Sequence, residues 1–228
     1  MIDVAANWQR VRARVAQAAI GAGRDPQTVR IIAVSKSKPV ALIEQAIAAG
    51  ATDVGENYVQ EAAEKIRRIA RPVTWHMIGR LQRNKAGRAV ELFDVIHTLD
   101  NITLADDLAR HGELRGRPVR VLIEVNTGGE LTKSGVPPDG VEPLLTVLAE
   151  RRWLIIDGLM TVPPAGPSAE RARVYFRLLR TLRDRLRVGA PANAPLHELS
   201  MGMSDDFTVA IEEGATMVRI GRAIFGER

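Results

Sequence analysis

Two lysines one residue apart, Lys36 and Lys38, close the apolar run IIAVSKSKPV at residues 31–40. The chain has five lysines against twenty-seven arginines, so an amine here is a choice of chemistry more than of charge. Lysine can lose its proton when desolvated and attack a carbonyl carbon; arginine cannot. On the two-residue period of a strand, Ile32, Val34 and Lys36 share a face. An amine at the end of that row, above apolar neighbours, would have its pKa depressed and its nucleophilic form favoured. The plainer reading is a rim lysine reaching to water.

A second group of chemistry-bearing residues stands near the far end of the chain, in SMGMSDD (200–206) and RIGRAIFG (219–226). Gly202 and Gly221 let backbone N–H groups approach an anion closely, Ser200 and Ser204 offer hydroxyl donors, and RAIF can form one helical turn facing a phosphate. The same glycines would also serve tight strand-to-helix turns. Arg219, set between Val218 and Ile220, needs an acceptor, because an unpaired buried guanidinium is costly. A carboxylate such as Glu198 or Glu124 would serve, and so would the ring nitrogen of a ligand. An amine, an anion cup and a donor to a ring nitrogen are together what pyridoxal 5′-phosphate requires.

The elements that must bring these residues together alternate along the chain. Short apolar runs at 29–36, 52–55, 74–79, 95–99, 119–126, 154–160, 196–201 and 217–221 predict strands, and longer amphipathic stretches at 40–50, 57–70, 101–112, 139–151 and 169–186 predict helices. Gly50 and Gly112 are expected to close helices, and Asn101, Asp139 and Ser204 to cap them. Eight β/α units preceded by one helix fit an α/β (β/α)₈ TIM barrel with an extra N-terminal helix. An open doubly wound sheet would carry a glycine-rich fingerprint after the first strand, where SKSKP stands instead. The barrel places chemistry at the C-terminal ends of its strands, where Lys36, Gly202 and Gly221 all fall.

Composition narrows the function classes. The 228 residues show no linker or shift in composition, so a single domain spanning 1–228 is expected. The absence of cysteine excludes disulfides, thiolate catalysis and zinc–cysteine sites. The four histidines, His76, His97, His111 and His197, lack metal-ligand spacing. A net charge of +5 raises nucleic-acid binding, yet Lys65, Arg67, Arg68 and Arg71 alternate with Glu61 and Glu64 at helical spacing, without aromatics for stacking on bases, and read as a solvated helix face. No membrane span or signal peptide is expected, and the chain reads as cytoplasmic.

Six segments are distinctive: AVSKSKP (33–39), GENYVQEAAEKI (55–66), WHMIGRLQRNK (75–85), LIEVNTGGELTKSG (122–135), GLM (158–160) and LSMGMSDDFTVAIEEGATMVRIGRAIFG (199–226). Together they resemble the pyridoxal-phosphate homeostasis proteins, a family whose fold is similar to the N-terminal barrel domain of alanine racemase. The resemblance runs nearly end to end. It implies that Lys36 holds the cofactor as a Schiff base, that Ser200, Gly202, Gly221 and Arg222 line the phosphate cup, the last through its backbone N–H, and that Arg219 faces the pyridine nitrogen. It also sets Asn57, His76 and Met201 near the cofactor, and makes Lys38 a candidate for accepting or relaying it. One departure is Arg222, where many members carry a small hydroxyl residue.

The implied function is intracellular buffering or delivery of pyridoxal 5′-phosphate without dedicated catalysis, with the cofactor and pyridoxal-dependent apo-enzymes as partners and no nucleic acid or membrane; a monomer is expected, although the resemblance leaves oligomeric state open. An arginine beside the pyridine nitrogen donates a hydrogen bond and disfavours its protonation, which weakens the electron sink. Alanine racemases share that arginine but also use a second base from a further domain and a partner subunit, which this sequence is not expected to supply. The alternative is a weak racemase or lyase using Tyr58 or Lys38 as that base. A cofactor-free Schiff-base aldolase on Lys36 stands third.

Overall fold

The computed structural model describes residues 2–130, 132–164, 166 and 168–227. Its first element, α1 (Val4–Gly21), starts where the Asp3 carboxylate accepts from the Ala6 N–H at 2.9 Å. Val4, Trp8, Val11, Val15 and Ala19 form its buried stripe. Eight strand–helix pairs follow: β1 (Arg30–Val34), α2 (Val40–Ala48), β2 (Asp53–Glu56), α3 (Val59–Arg68), β3 (Thr74–Met77), α4 (Ala86–Leu92), β4 (Val95–Leu99), α5 (Ile102–Arg115), β5 (Val119–Glu124), α6 (Val141–Leu148), β6 (Leu154–Met160), α7 (Arg173–Arg187), β7 (Glu198–Ser200), α8 (Phe207–Glu212), β8 (Met217–Ile220) and α9 (Arg222–Phe225). All eight strands are parallel, and the sheet closes where Ile32 pairs with Arg219 and Ala33 with Ile220. The expected TIM barrel with its leading helix is the fold found.

Outward-facing strand residues, among them Ala33, Val54, Ile96, Val121, Ile123, Leu159 and Ile220, are fully buried beneath the helices and join one apolar shell. Burial of this kind contributes about 1.5–3 kcal/mol for each large side chain. The inner surface differs. Val95, Leu122 and Met160 form a small apolar cluster inside the barrel, while Asp53, His76, His97, Ser200 and Arg219 are also buried.

Asn101 caps α5 as expected, accepting from Leu104 N–H at 2.8 Å. Gly112 does not end that helix; it lies inside it, and Gly116, in the left-handed region at φ 71°, does. A side chain at 112 would press on Val119 Cγ2, Trp153 O and Arg117 O at 3.0–3.2 Å, so close packing explains that glycine. Asp139 sits in a short turn before α6, and Ser204 bonds across to α9 instead of capping α8.

Candidate functional site

A cavity of about 550 Å³ opens at the C-terminal end of the barrel. Val34, Lys36 and Lys38 reach it from β1 and the loop that follows, Asn57 from beyond β2, Ile78 from beyond β3, Val162 from beyond β6, Met203, Ser204 and Asp205 from beyond β7, and Arg219, Gly221 and Arg222 from β8 and its loop. Among the described residues no helix is long and apolar enough to cross a membrane, and no cluster of metal-ligating side chains is present.

The turn that carries Lys36 is tied down from below. Ser37 follows it in the left-handed region at φ 60°, which a non-glycine residue adopts only when its surroundings hold it there. Its N–H donates to Glu61 Oε1 at 2.6 Å. Lys65, buried on α3, donates to Ser35 O at 2.7 Å, to Glu56 Oε1 at 2.6 Å and to Glu61 Oε1 at 2.6 Å. Burial raises the Glu56 pKa above the usual carboxylate range, against the opposing pull of Lys65 and Ser35. Lys65 and Glu61 therefore do not lie on a solvated face as the sequence pattern suggested; they clamp the turn that presents Lys36. Lys38 lines the cavity too, but its Nζ donates to the carbonyls of Phe225, Gly226 and Glu227 at 3.2, 3.0 and 2.7 Å, pinning the end of α9.

Arg219 forms part of the cavity wall with only 5% of its surface exposed. Its Nη1 donates to Ser200 O at 2.8 Å and to Ser200 Oγ at 2.7 Å, and its Nη2 to Thr161 O at 2.8 Å. Among the described residues none of its hydrogen-bond acceptors is a carboxylate; Glu198 pairs with Arg30 at 2.5 Å, and Glu124 takes a hydroxyl from Ser134 at 3.3 Å. Burial lowers the guanidinium pKa to about 10, with Glu124 and Asp206 acting the other way from a distance.

Glycine is needed at 202 and optional, as far as the protein itself is concerned, at 221. Gly202 adopts φ +92°, and a Cβ there would meet Ala210 Cβ at 2.5 Å. Gly221 has a negative φ, and an added Cβ would meet nothing nearer than Val34 O at 3.4 Å, an ordinary contact. It nevertheless faces the cavity, where a bare backbone leaves room for a ligand to approach. Ser204 Oγ accepts from Ala223 N–H at 3.3 Å and so ties the β7 and β8 loops together. The Arg222 guanidinium pairs with Asp205 and lies 3.6 Å from Glu227.

Of the nine residues the sequence set around the cofactor, Lys36, Asn57, Arg219, Gly221 and Arg222 line this cavity. Gly79 brings Asn57 in: its backbone packs so tightly there that a Cβ would lie 2.4 Å from Asn57 O. Gly202 shapes the β7 loop from beneath, and Ser200 supports Arg219. His76 and Met201 are not among the lining residues. His76 is fully buried deeper in the barrel with both ring nitrogens engaged, to Asp53 and to His97, and Met201 belongs to the apolar shell. The resemblance that set them near the cofactor matches positions along the chain, which fixes neither the face of a strand nor depth along the barrel axis.

A family model described as the alanine racemase N-terminal domain matches residues 3–228. The pyridoxal phosphate homeostasis protein of Pseudomonas aeruginosa is 43% identical, covering 100% of this chain and 97% of that relative. This chain belongs to the pyridoxal phosphate homeostasis protein family. Two solved structures of another pyridoxal phosphate homeostasis family member, PipY of Synechococcus elongatus, superpose on it. The one with PLP bound gives a TM-score of 0.86 at 37% identity, covering 98% of this chain and 100% of PipY. The one without PLP gives 0.84 at 39% identity, covering 94% and 99%. Within the pyridoxal phosphate homeostasis family, then, the same barrel has been seen with and without its ligand.

Proposed function

We propose that this chain holds pyridoxal 5′-phosphate through a reversible covalent link to Lys36, and buffers or delivers it without a dedicated reaction of its own. The observation that carries the reading is the meeting of three unlike groups on one cavity: the Lys36 amine, the Arg219 guanidinium, to which no carboxylate among the described residues is hydrogen-bonded, and the bare backbone at Gly221. When bound, the cofactor supplies an aldehyde that condenses with an amine. The residues of this chain do the rest. Gly221 and the Arg222 backbone would receive the phosphate, Gly202 and Ser204 hold the neighbouring loop in shape, and Arg219 would donate to the ring nitrogen. Asn57 would lie beside the bound group. The Arg222 side chain, already answered by Asp205 and Glu227, adds charge to the rim instead of the hydroxyl common in the family.

Absence of turnover is supported by what surrounds the cavity. Tyr58, a candidate second base, is 58% exposed and is not among the lining residues. Lys38 directs its amine at three carbonyls, which would satisfy all three N–H bonds of an ammonium and leave no lone pair to act as a base. The natural recipients of the cofactor would be pyridoxal-dependent apo-enzymes. Purified protein should absorb visible light after incubation with the cofactor, and Lys36→Ala should abolish the band and the borohydride-trapped mass adduct. A wild type that stays colourless and unmodified overturns the reading. Exchange of amino-acid α-protons in deuterated water at enzymatic rates would instead favour the racemase or lyase alternative.

A further inference from the structure

We propose that Ser200, His97, His76 and Asp53 form a one-way hydrogen-bond file behind Arg219, and that His97, His76 and Asp53 are positioning residues that fix its guanidinium as a donor. The file crosses the barrel interior in four links: Arg219 Nη1 to Ser200 Oγ at 2.7 Å, Ser200 Oγ to His97 Nδ1 at 2.9 Å, His97 Nε2 to His76 Nδ1 at 2.9 Å, and His76 Nε2 to Asp53 Oδ1 at 2.9 Å. All four of the residues behind Arg219 are buried, and both imidazoles are fully so.

The two ends set the direction. A guanidinium only donates and a carboxylate only accepts. Ser200 Oγ accepts from Arg219 and gives its own proton to His97 Nδ1. His97 then carries its proton on Nε2 and gives it to His76 Nδ1, and His76 carries its proton on Nε2 and gives it to Asp53. With both rings neutral and both protons on Nε2, each link has one donor and one acceptor and no proton on the file is left over. Reversing the middle of the file would make His76 an imidazolium beside Asp53 and would leave the Ser200 proton to find another acceptor. That arrangement sets a second cation on the same short file as Arg219 inside the barrel, where charges are poorly screened. Burial above all, with the cations of Arg219 and Arg30 adding to it, holds the His97 pKa well below its ordinary value, in keeping with a neutral ring.

The consequence rests on the proposed function, in which Arg219 meets the pyridine nitrogen. A guanidinium held from behind by a file that ends in a carboxylate keeps its protons and its orientation, so a ring nitrogen placed there would receive a hydrogen bond and no proton. The experiment separates the two ideas. In the full chain without cofactor, nitrogen-15 NMR of the imidazoles at about pH 8 should show both His76 and His97 protonated on Nε2 and bare on Nδ1. A proton on His97 Nδ1, or an imidazolium at His76, overturns the file. His97→Phe and Asp53→Asn should each move the Arg219 side-chain resonances in the same cofactor-free protein, and His97→Phe should speed cofactor release about tenfold by loosening a buried donor. Asp53→Asn keeps shape and an acceptor oxygen, so it reads the effect if the phenylalanine variant does not fold. Unmoved Arg219 resonances overturn the positioning role. If the tautomers are as stated but no cofactor attaches to Lys36, the proposed function fails and the file stands.

Discussion

The two surfaces of the eight-stranded wall follow different rules. Outside, Ala33, Val54, Ile96, Val121, Ile123, Leu159 and Ile220 meet the helices as interchangeable apolar volume, and any set of side chains of similar bulk would fill the space. Inside and at the mouth, buried polar groups meet specific partners: Lys65 with Glu56 and Glu61, His76 with Asp53 and His97, Arg219 with Ser200 and Thr161. Trimming an apolar side chain outside costs in proportion to the surface and volume removed. Removing a polar partner inside strands another group, and the stranded group sets the cost. The outer wall therefore specifies the fold and the inner wall specifies what the fold can hold.

The largest effect that would break this contrast is at Lys65. Lys65→Met keeps bulk but leaves Glu56 and Glu61 facing each other without their cation, and should cost about 3–5 kcal/mol in urea unfolding, in line with breaking a buried ion pair from one side. It should also slow attachment of the cofactor at Lys36, because Glu61 holds the Ser37 N–H of the same turn. By contrast Ile96→Val, on the outer wall, should cost about 0.5–1.5 kcal/mol and leave attachment unchanged. Equal costs for the two would erase the distinction between the walls.

The glycines at the mouth sharpen it at a smaller scale. Gly202→Ala forces a Cβ to within 2.5 Å of Ala210 at a positive φ and should destabilise the chain by about 1–3 kcal/mol. Gly221→Ala meets only an ordinary contact inside the protein, so stability should stay within about 0.5 kcal/mol of wild type while affinity for the cofactor, measured by absorbance titration, falls severalfold. A loss of stability at 221 without a loss of affinity would mean that this glycine serves the turn and not a ligand.

These rules also explain what is legible in the residues alone. The outer wall announces itself: VIHTL and LIIDGLM coincide with β4 and β6 because apolar strand runs and amphipathic helix faces are both written in local spacing. Lys36, Arg219 and Gly221 stand out because each interrupts or ends such a run. The inner matches are not legible, since they depend on strand register. Asp53 pairs with Thr74 across β2 and β3, and His76 with Val95 across β3 and β4, and this stagger brings His97 against His76. Single-chain periodicity carries no register, so it gives His97 no role and cannot separate His76 from a cofactor neighbour. Lys65 misleads for a related reason: a Glu61–Lys65 pair four residues apart has the spacing of a surface ion pair, and only the packing of α3 beneath the β1 turn buries it. Its one local signal is the scarcity of lysine in an arginine-rich chain.

A further expected effect concerns pH, and it too separates the walls. The apolar residues of the outer wall do not titrate, so their contribution should be flat, whereas the inner file should lose stability on acidification in two stages. The first belongs to His97. Its folded pKa is depressed by burial first and by the cations of Arg219 and Arg30, so below about pH 6.5 the unfolded ring takes up a proton that the folded ring refuses, and unfolding becomes easier. The second belongs to Asp53. Burial pushes its pKa up, but hydrogen bonds from His76 and Thr52 outweigh that and hold it below the usual value. Its stabilisation is complete above about pH 5 and disappears as the pH falls through the lowered folded pKa. Urea unfolding of wild type and His97→Phe between about pH 7.5 and pH 5 isolates the first stage, since every other group titrates in both proteins. The variant should show the shallower decline, and parallel declines would mean that the buried ring takes up its proton as readily as the unfolded one.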